Sequence, residues 1–176
     1  IQAGSLDNAD GELVHTGRDD MQLVLPGNLT NTRGRIASNG TTLRLGAETL
    51  DNSAGSIEHA GTGDLVIRTG AFAGTSGEIR SNGHLDLAAS RVELDRARTA
   101  AERVSITADT ISHRYGELHQ TGSGLATLSA NGLLDNQAGL ITGNGSVALS
   151  AGTLDNRGGA VVVAGSHDLD VVVGGD

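Results

Sequence analysis

The chain is 176 residues long, with 27 glycines, one proline, no cysteine and a formal net charge of −9. The lack of cysteine excludes disulfides and thiolate metal sites but leaves the redox compartment open, and because all twelve basic residues are arginines no lysine amine is available as a nucleophile. An acidic chain lacks the basic face that general nucleic-acid binding requires, no apolar run reaches the length of a membrane span, and 37% hydrophobic content with only 1% aromatics suits a narrow aliphatic core.

In chain order, a leading apolar residue recurs at Leu6, Leu29, Leu50, Phe72, Val92, Ile111, Leu134 and Leu154, at intervals of 23, 21, 22, 20, 19, 23 and 20 residues. Five residues after each stands Gly11, Gly34, Gly55, Gly77, Ala97, Gly116, Gly139 and Gly159, and seven after it Leu13, Ile36, Ile57, Ile79, Thr99, Leu118, Ile141 and Val161. Both positions break only in the fifth unit. Later in each unit comes an apolar pair two residues apart, the mark of a half-buried strand: Leu23/Leu25, Leu43/Leu45, Leu65/Ile67, Leu85/Leu87, Val104/Ile106, Ala126/Leu128 as the weakest, Val147/Leu149 and Leu169/Val171. Period 2 inside the strands and glycine at the breaks argue against helix. A fixed period of this length is the signature of a repeat architecture.

The pattern predicts an all-β chain, a right-handed parallel β-helix (solenoid) of about eight coils of roughly 20 residues. At ~4.8 Å per coil this makes a rod about 38 Å long. Residues 1–176 read as a single repeat segment with an irregular coil around 92–110, cut from a longer filament because Ile1 falls inside the end of a unit. The leading Leu and the second Ile are expected to point inward and stack on their equivalents. The glycines are expected at corners needing positive φ or close backbone approach. Asn8, Asn31, Asn52, Asn136 and Asn156 are expected to form a side-chain ladder at one corner.

The unit Leu-Asp-Asn-x-x-Gly-x-Ile, then Gly, then Leu-x-Leu-x-x-Gly, clearest at 50–67, 134–151 and 154–163, resembles the repeats of filamentous haemagglutinin-type exoproteins. That family includes bacterial adhesins and contact-dependent growth-inhibition effectors exported by two-partner secretion. The resemblance implies a secreted, cell-surface shaft that carries an adhesive or toxic tip. It further implies an outer-membrane transporter as partner during secretion, and a host- or target-cell receptor or glycan engaged through the parent protein.

Candidate chemistry is sparse. Gly61-Thr62-Gly63-Asp64 is similar to a calcium-binding turn, but such cages need tandem copies, and the copy here is single. His15, His59 and His119 fall at similar places in non-adjacent units, too far apart for one metal, and read as exposed turn residues. Asp7, Asp51, Asp135 and Asp155 recur at one place in separate units, which is a repeat feature and not a convergent catalytic pair. The most promising cluster is Arg91, Arg96, Arg98, Arg103 and Arg114, interleaved with Glu93, Asp95, Glu102 and Asp109. Arginine suits bidentate oxyanion contact, so this stretch is the candidate for a polyanion or sulfated glycan. The reading is a non-enzymatic shaft segment without cofactor or metal, with a glycan-binding module as the alternative.

Overall fold

The computed structural model describes residues 3–174. Among them there are eighteen strands and no helix, and every strand pairing is parallel. The chain is a β-solenoid of eight coils, each beginning at one of the leading apolar residues. A coil has three faces, and each strand pairs with its equivalent one coil above and below. Several strands run straight around a corner: Leu43–Asp51, Leu65–Ala73, Ala126–Asp135 and Val147–Asp155 join the third face to the first of the next coil. Glu78–Ala88 and Arg98–Ala108 join the second face to the third.

Register explains why the period is kept. On the first face Leu6, Leu29, Leu50, Phe72, Val92, Ile111, Leu134 and Leu154 are each the Cα partner of the next. The second face stacks Leu13, Ile36, Ile57, Ile79, Thr99, Leu118, Ile141 and Val161 in the same way. A one-residue slip turns every such side chain outward, so each apolar row holds its own register. The interior of these rows is dry, with Leu29, Ile36, Ile57 and Leu134 all 0% exposed. Full burial stabilises each such side chain by roughly 1.5–3 kcal/mol. At the two ends Leu6, Leu13, Leu154 and Val161 are only partly buried. On the third face Leu23 pairs with Leu45 and Met21 with Leu43; Leu23 and Leu25 are both buried in the core, and Met21, partly buried, extends the inward row by one step. Ala126/Leu128 is the inward pair of the sixth coil, opposite Val147/Leu149.

Of the two expected reasons for the corner glycines, close approach and not positive φ holds at nearly every coil. Positive φ falls on the residue before each: Asp10, Arg33, Ala54, Ser76, Arg96, Tyr115 and Ala138, at 52–57°, with Gly158 at 66° completing the series. The glycine itself is needed for close approach. A Cβ on Gly55 would lie 2.1 Å from the Asn31 carbonyl oxygen of the coil below. In the fifth coil Ala97 takes the glycine's place, above Gly74 where other coils carry Asn.

Coil 5 spans 92–110. Its strand Arg98–Ala108 stays paired with Glu78–Ala88, with a register shift between Ala101 and Arg103. Thr99 occupies the aliphatic row of the second face, 2% exposed, and its hydroxyl has no hydrogen-bond partner. Replacing a buried, unpaired hydroxyl by a methyl of similar shape removes a desolvation cost of about 1–3 kcal/mol. Thr99→Val is therefore expected to raise stability by about 1 kcal/mol and the midpoint of thermal unfolding with it. A lowered midpoint would mean that the hydroxyl is bonded after all.

The outside of the second face carries alternating charge. Arg35 pairs with Glu12 of the coil below at 2.6 Å and Glu58 of the coil above at 2.7 Å. Further along, Arg80 pairs with Glu78 at 2.6 Å and Arg98 with Glu117 at 3.5 Å. Each exposed pair contributes little alone; together they keep like charges from stacking one coil apart.

Candidate functional site

At the corner after the first face, Asp accepts the backbone N–H two residues on. Asp51 Oδ1 accepts from Ser53 at 2.8 Å, Asp135 from Gln137 at 3.0 Å and Asp155 from Arg157 at 3.1 Å. The recurring carboxylates therefore each shape a turn of their own coil, while Thr30, Ala73 and Glu93 stand at this place in coils 2, 4 and 5. Burial pushes the Asp51 carboxyl up, but hydrogen bonds from Ser53 and Thr32 outweigh it and hold the group below the usual carboxylate range. In coil 6 Ser112 replaces the aspartate, and Asp95 from the coil below takes over the task. It accepts from Arg114 N at 3.0 Å and Ser112 Oγ at 2.6 Å.

Inside that corner stands the asparagine ladder. Asn8 Nδ2 donates to Asn31 Oδ1 and Asn31 Nδ2 to Asn52 Oδ1, both at 2.7 Å. The ladder stops where Gly74 and Leu94 occupy the position, then resumes as His113 Nδ1 to Asn136 Oδ1 and Asn136 Nδ2 to Asn156 Oδ1, again at 2.7 Å.

The five candidate arginines lie on different sides of the rod. Arg91 is on the first face and pairs with Glu93. Arg103, at the corner between the second and third faces, pairs with Glu102 at 3.5 Å. Arg114 is held by Asp95 at 2.6 Å, a contact that raises its pKa. Burial pushes Asp95 up, and bonds from Ser112 and Arg114 more than reverse this, leaving its carboxyl below the ordinary value. Arg98 faces Glu117, while the guanidinium of Arg96 lies over the Tyr115 ring, 5.6 Å from its centre. Arg96 and Arg98 do meet two arginines outside the sequence cluster. With Arg33 and Arg35 they wall an open groove of about 530 Å³ along the corner, floored by Gly34, Ala54, Gly55, Ser56, Ser76 and Gly77 and edged by Glu78. The signal was available in the repeat: positions five and seven of the unit are Arg in coils 2 and 5 and small or acidic in coils 3 and 4. Glu78 lines the groove, and four further carboxylates pair with its arginines: Glu12 and Glu58 with Arg35, Glu117 with Arg98, and Asp10 with Arg33 at 2.6 Å. That bond holds the Asp10 carboxyl below its usual value.

The histidines divide. His119 faces out, with Nδ1 2.7 Å from Thr142 Oγ1. His15 and His59 stand one residue later in the unit, and alternation along the strand turns them inward, so His59 is 2% exposed and not the exposed turn residue expected. Ser38 lies between them in register. In the calcium-like turn Asp64 faces His84 Nδ1 at 3.8 Å, and a Cβ on Gly61 would lie 1.9 Å from the Gly40 carbonyl oxygen. These glycines therefore serve coil stacking. Among the described residues no group of three or more His, Cys, Asp or Glu side chains is placed to hold a metal ion.

Comparison with known proteins gives two relatives. Over 94% of its length the chain is 26% identical to Toxin CdiA of Yersinia pestis, covering 6% of that protein. Over 89% of its length it is 32% identical to Deoxyribonuclease CdiA of Dickeya dadantii (strain 3937), covering 5% of that protein. The chain thus spans about a twentieth of the length of the curated relatives it matches. No family model and no solved structure matches it.

Proposed function

Because the chain is a repeat region of the filamentous haemagglutinin type, from a secreted cell-surface exoprotein of the two-partner-secretion class, we propose that it serves as shaft. In this reading the segment spans distance between the bacterial surface and a tip that acts on a target cell. It crosses the outer membrane through a dedicated transporter and takes no part in catalysis. The observation that carries the reading is the in-register stacking of inward side chains on all three faces, aliphatic in nearly every coil, with the asparagines of the first corner bonded from coil to coil at both ends of the stack. Stability of such a stack is set by nearest-neighbour interfaces, so length can change by whole coils without a new core. In the full-length exoprotein, removing one period (residues 50–71) is expected to leave secretion and target-cell action largely intact. Loss of action with normal surface display would overturn the shaft role.

The second reading, an adhesive module for a sulfated glycan, is favoured by the groove between Arg33/Arg35 and Arg96/Arg98. The five carboxylates around it oppose that reading. The 176-residue chain is therefore expected to show no arginine-dependent retention on immobilised heparin at physiological salt. Retention that falls at least tenfold in the Arg96→Ala/Arg98→Ala variant would establish the glycan module.

A further inference from the structure

Two imidazoles lie inside the rod, where the stack offers nothing to receive a charge. His59 is 2% exposed and His113 0%. Both ring nitrogens of His59 and Nε2 of His113 have no hydrogen-bond partner. The tautomer of His113 follows from its neighbour. Asn136 spends its amide N–H groups on Asn156 and Gly139, so its Oδ1 faces His113 and accepts from Nδ1–H at 2.7 Å. The bare lone pair is then on Nε2, in the interior.

We propose that His59 and His113 are acid-sensitive joints, whose protonation starts the opening of the rod at coils 3 and 6 on mild acidification. A proton added to Nε2 of His113 makes an N–H with no acceptor and a charge with no water, which the interior cannot accommodate without opening. Neither nitrogen of His59 has a partner within hydrogen-bond geometry, and the nearby backbone of Thr41 and Ser38 offsets only part of the cost of a proton there.

The groups facing each ring do not supply a counter-charge. Below His59 lie Ser38 and Thr41, with His15 beyond Ser38; above it is Ser81, in register. The one carboxylate nearby is Asp64, itself half-exposed and facing His84. Below His113 are Leu94 and Asp95, and Asp95 is already engaged by Ser112 and by the side chain and backbone of Arg114. Above it are Asn136 and Asp135, and Asp135 faces Arg114 at 3.9 Å. Burial accordingly depresses the pKa of both rings. For His59 the backbone of Thr41 and Ser38 and the charge of Asp64 recover only part of the loss, and for His113 the Asn136 bond and Asp95 recover only part. With the folded value below the unfolded one of about 6.5, the opened coil binds more protons. Stability is then complete above about pH 6.5 and falls as pH drops toward the folded value, each ring favouring opening by up to about tenfold per pH unit.

The repeat supplies substitutions that remove the titration. Gln120 occupies the column of His59 in coil 6, bonding Gly124 O and Gly145 N, and Gly63 and Gly83 stand at the matching places around residue 59. Asn occupies the column of His113 in five other coils. Hydrogen exchange on the 176-residue chain at pH 7.5 and 5.5, corrected for intrinsic rates, is expected to show protection falling first around coils 3 and 6 and their immediate neighbours, ahead of the two end coils. The His59→Gln/His113→Asn variant is expected to lose the fall in unfolding midpoint between pH 6.5 and 5. An unchanged fall in that variant, or opening that begins at the chain ends, would overturn the proposal. Should a variant fail to fold, NMR titration of the unaltered chain decides. Both rings are expected to stay neutral in the folded signal set below the pH at which a free imidazole titrates; titration at the ordinary value with protection intact would refute the idea.

Discussion

Ile57→Asp is expected to unfold the middle of the rod, not one coil of it. Ile57 is 0% exposed and lies between Ile36 and Ile79 in an in-register row. The change removes burial worth roughly 1.5–3 kcal/mol and adds a carboxylate that must either stay unpaired in the interior or be protonated there. The total is about 4–5 kcal/mol or more, in the range reserved for buried-charge errors and a large part of the whole stability of an ordinary domain. Coil 3 also supplies both neighbours with hydrogen-bonded edges, so its loss exposes the rows of coils 2 and 4. Hydrogen exchange is the measurement. Protection should vanish across at least 29–91, whereas loss confined to 50–71 would show that the coils are held independently.

The second large effect is expected at Asn31, and it is a polar one. Asn31 is 0% exposed. It accepts from Asn8 and donates to Asn52 Oδ1, to Gly34 O at 3.3 Å and to Ser56 O at 3.1 Å. Asn31→Ala leaves the buried Asn52 Oδ1 without a donor and opens a void beside it. Stranded buried polar atoms cost about 1–3 kcal/mol each, so a loss of about 3 kcal/mol is expected. Asn156→Ala, at an exposed position of the same ladder, should cost under about 1 kcal/mol. Equal losses at the two sites would mean that the ladder does not depend on burial. Leucine is no remedy at 31, although Leu94 fills the equivalent place in coil 5. A Cβ on Gly74 would lie 3.2 Å from Leu94 Cδ2, so that leucine needs glycine beneath it, and beneath residue 31 is Asn8.

These contrasts indicate which parts of the molecule the linear chain discloses. The aliphatic rows were legible because a strand that buries one face must repeat its apolar residue at a fixed place, and Leu50, Ile57 and Leu65 have no other way to pack. The asparagine ladder was legible for the same reason. Side-chain direction near a corner was harder to read. His59 and His119 differ by one place in the unit, and in a strand one place is the difference between inside and outside. Which of the two reasons placed the corner glycines was not legible, because Ala54 and Arg33 adopt the left-handed conformation beside glycines retained for lack of space. The arginine groove is a property of coils 2 and 5 seen together, so neighbours along the chain such as Arg91 and Arg103 pointed away from it.

The alternating charges on the second face bear on how such a gene can grow. Duplicating coil 2 alone would set one Arg35 against another a single strand spacing away, and duplicating coil 5 would do the same with Arg98. Copying coil 3 instead, where Ser56 stands at that place, sets no like charges together there. Unequal crossing-over is thus tolerated best where the copied winding carries no charge at this place, as at Ser56, Leu140 and Ala160, and descendants of this chain should have gained copies of those windings more often than of coils 2 and 5.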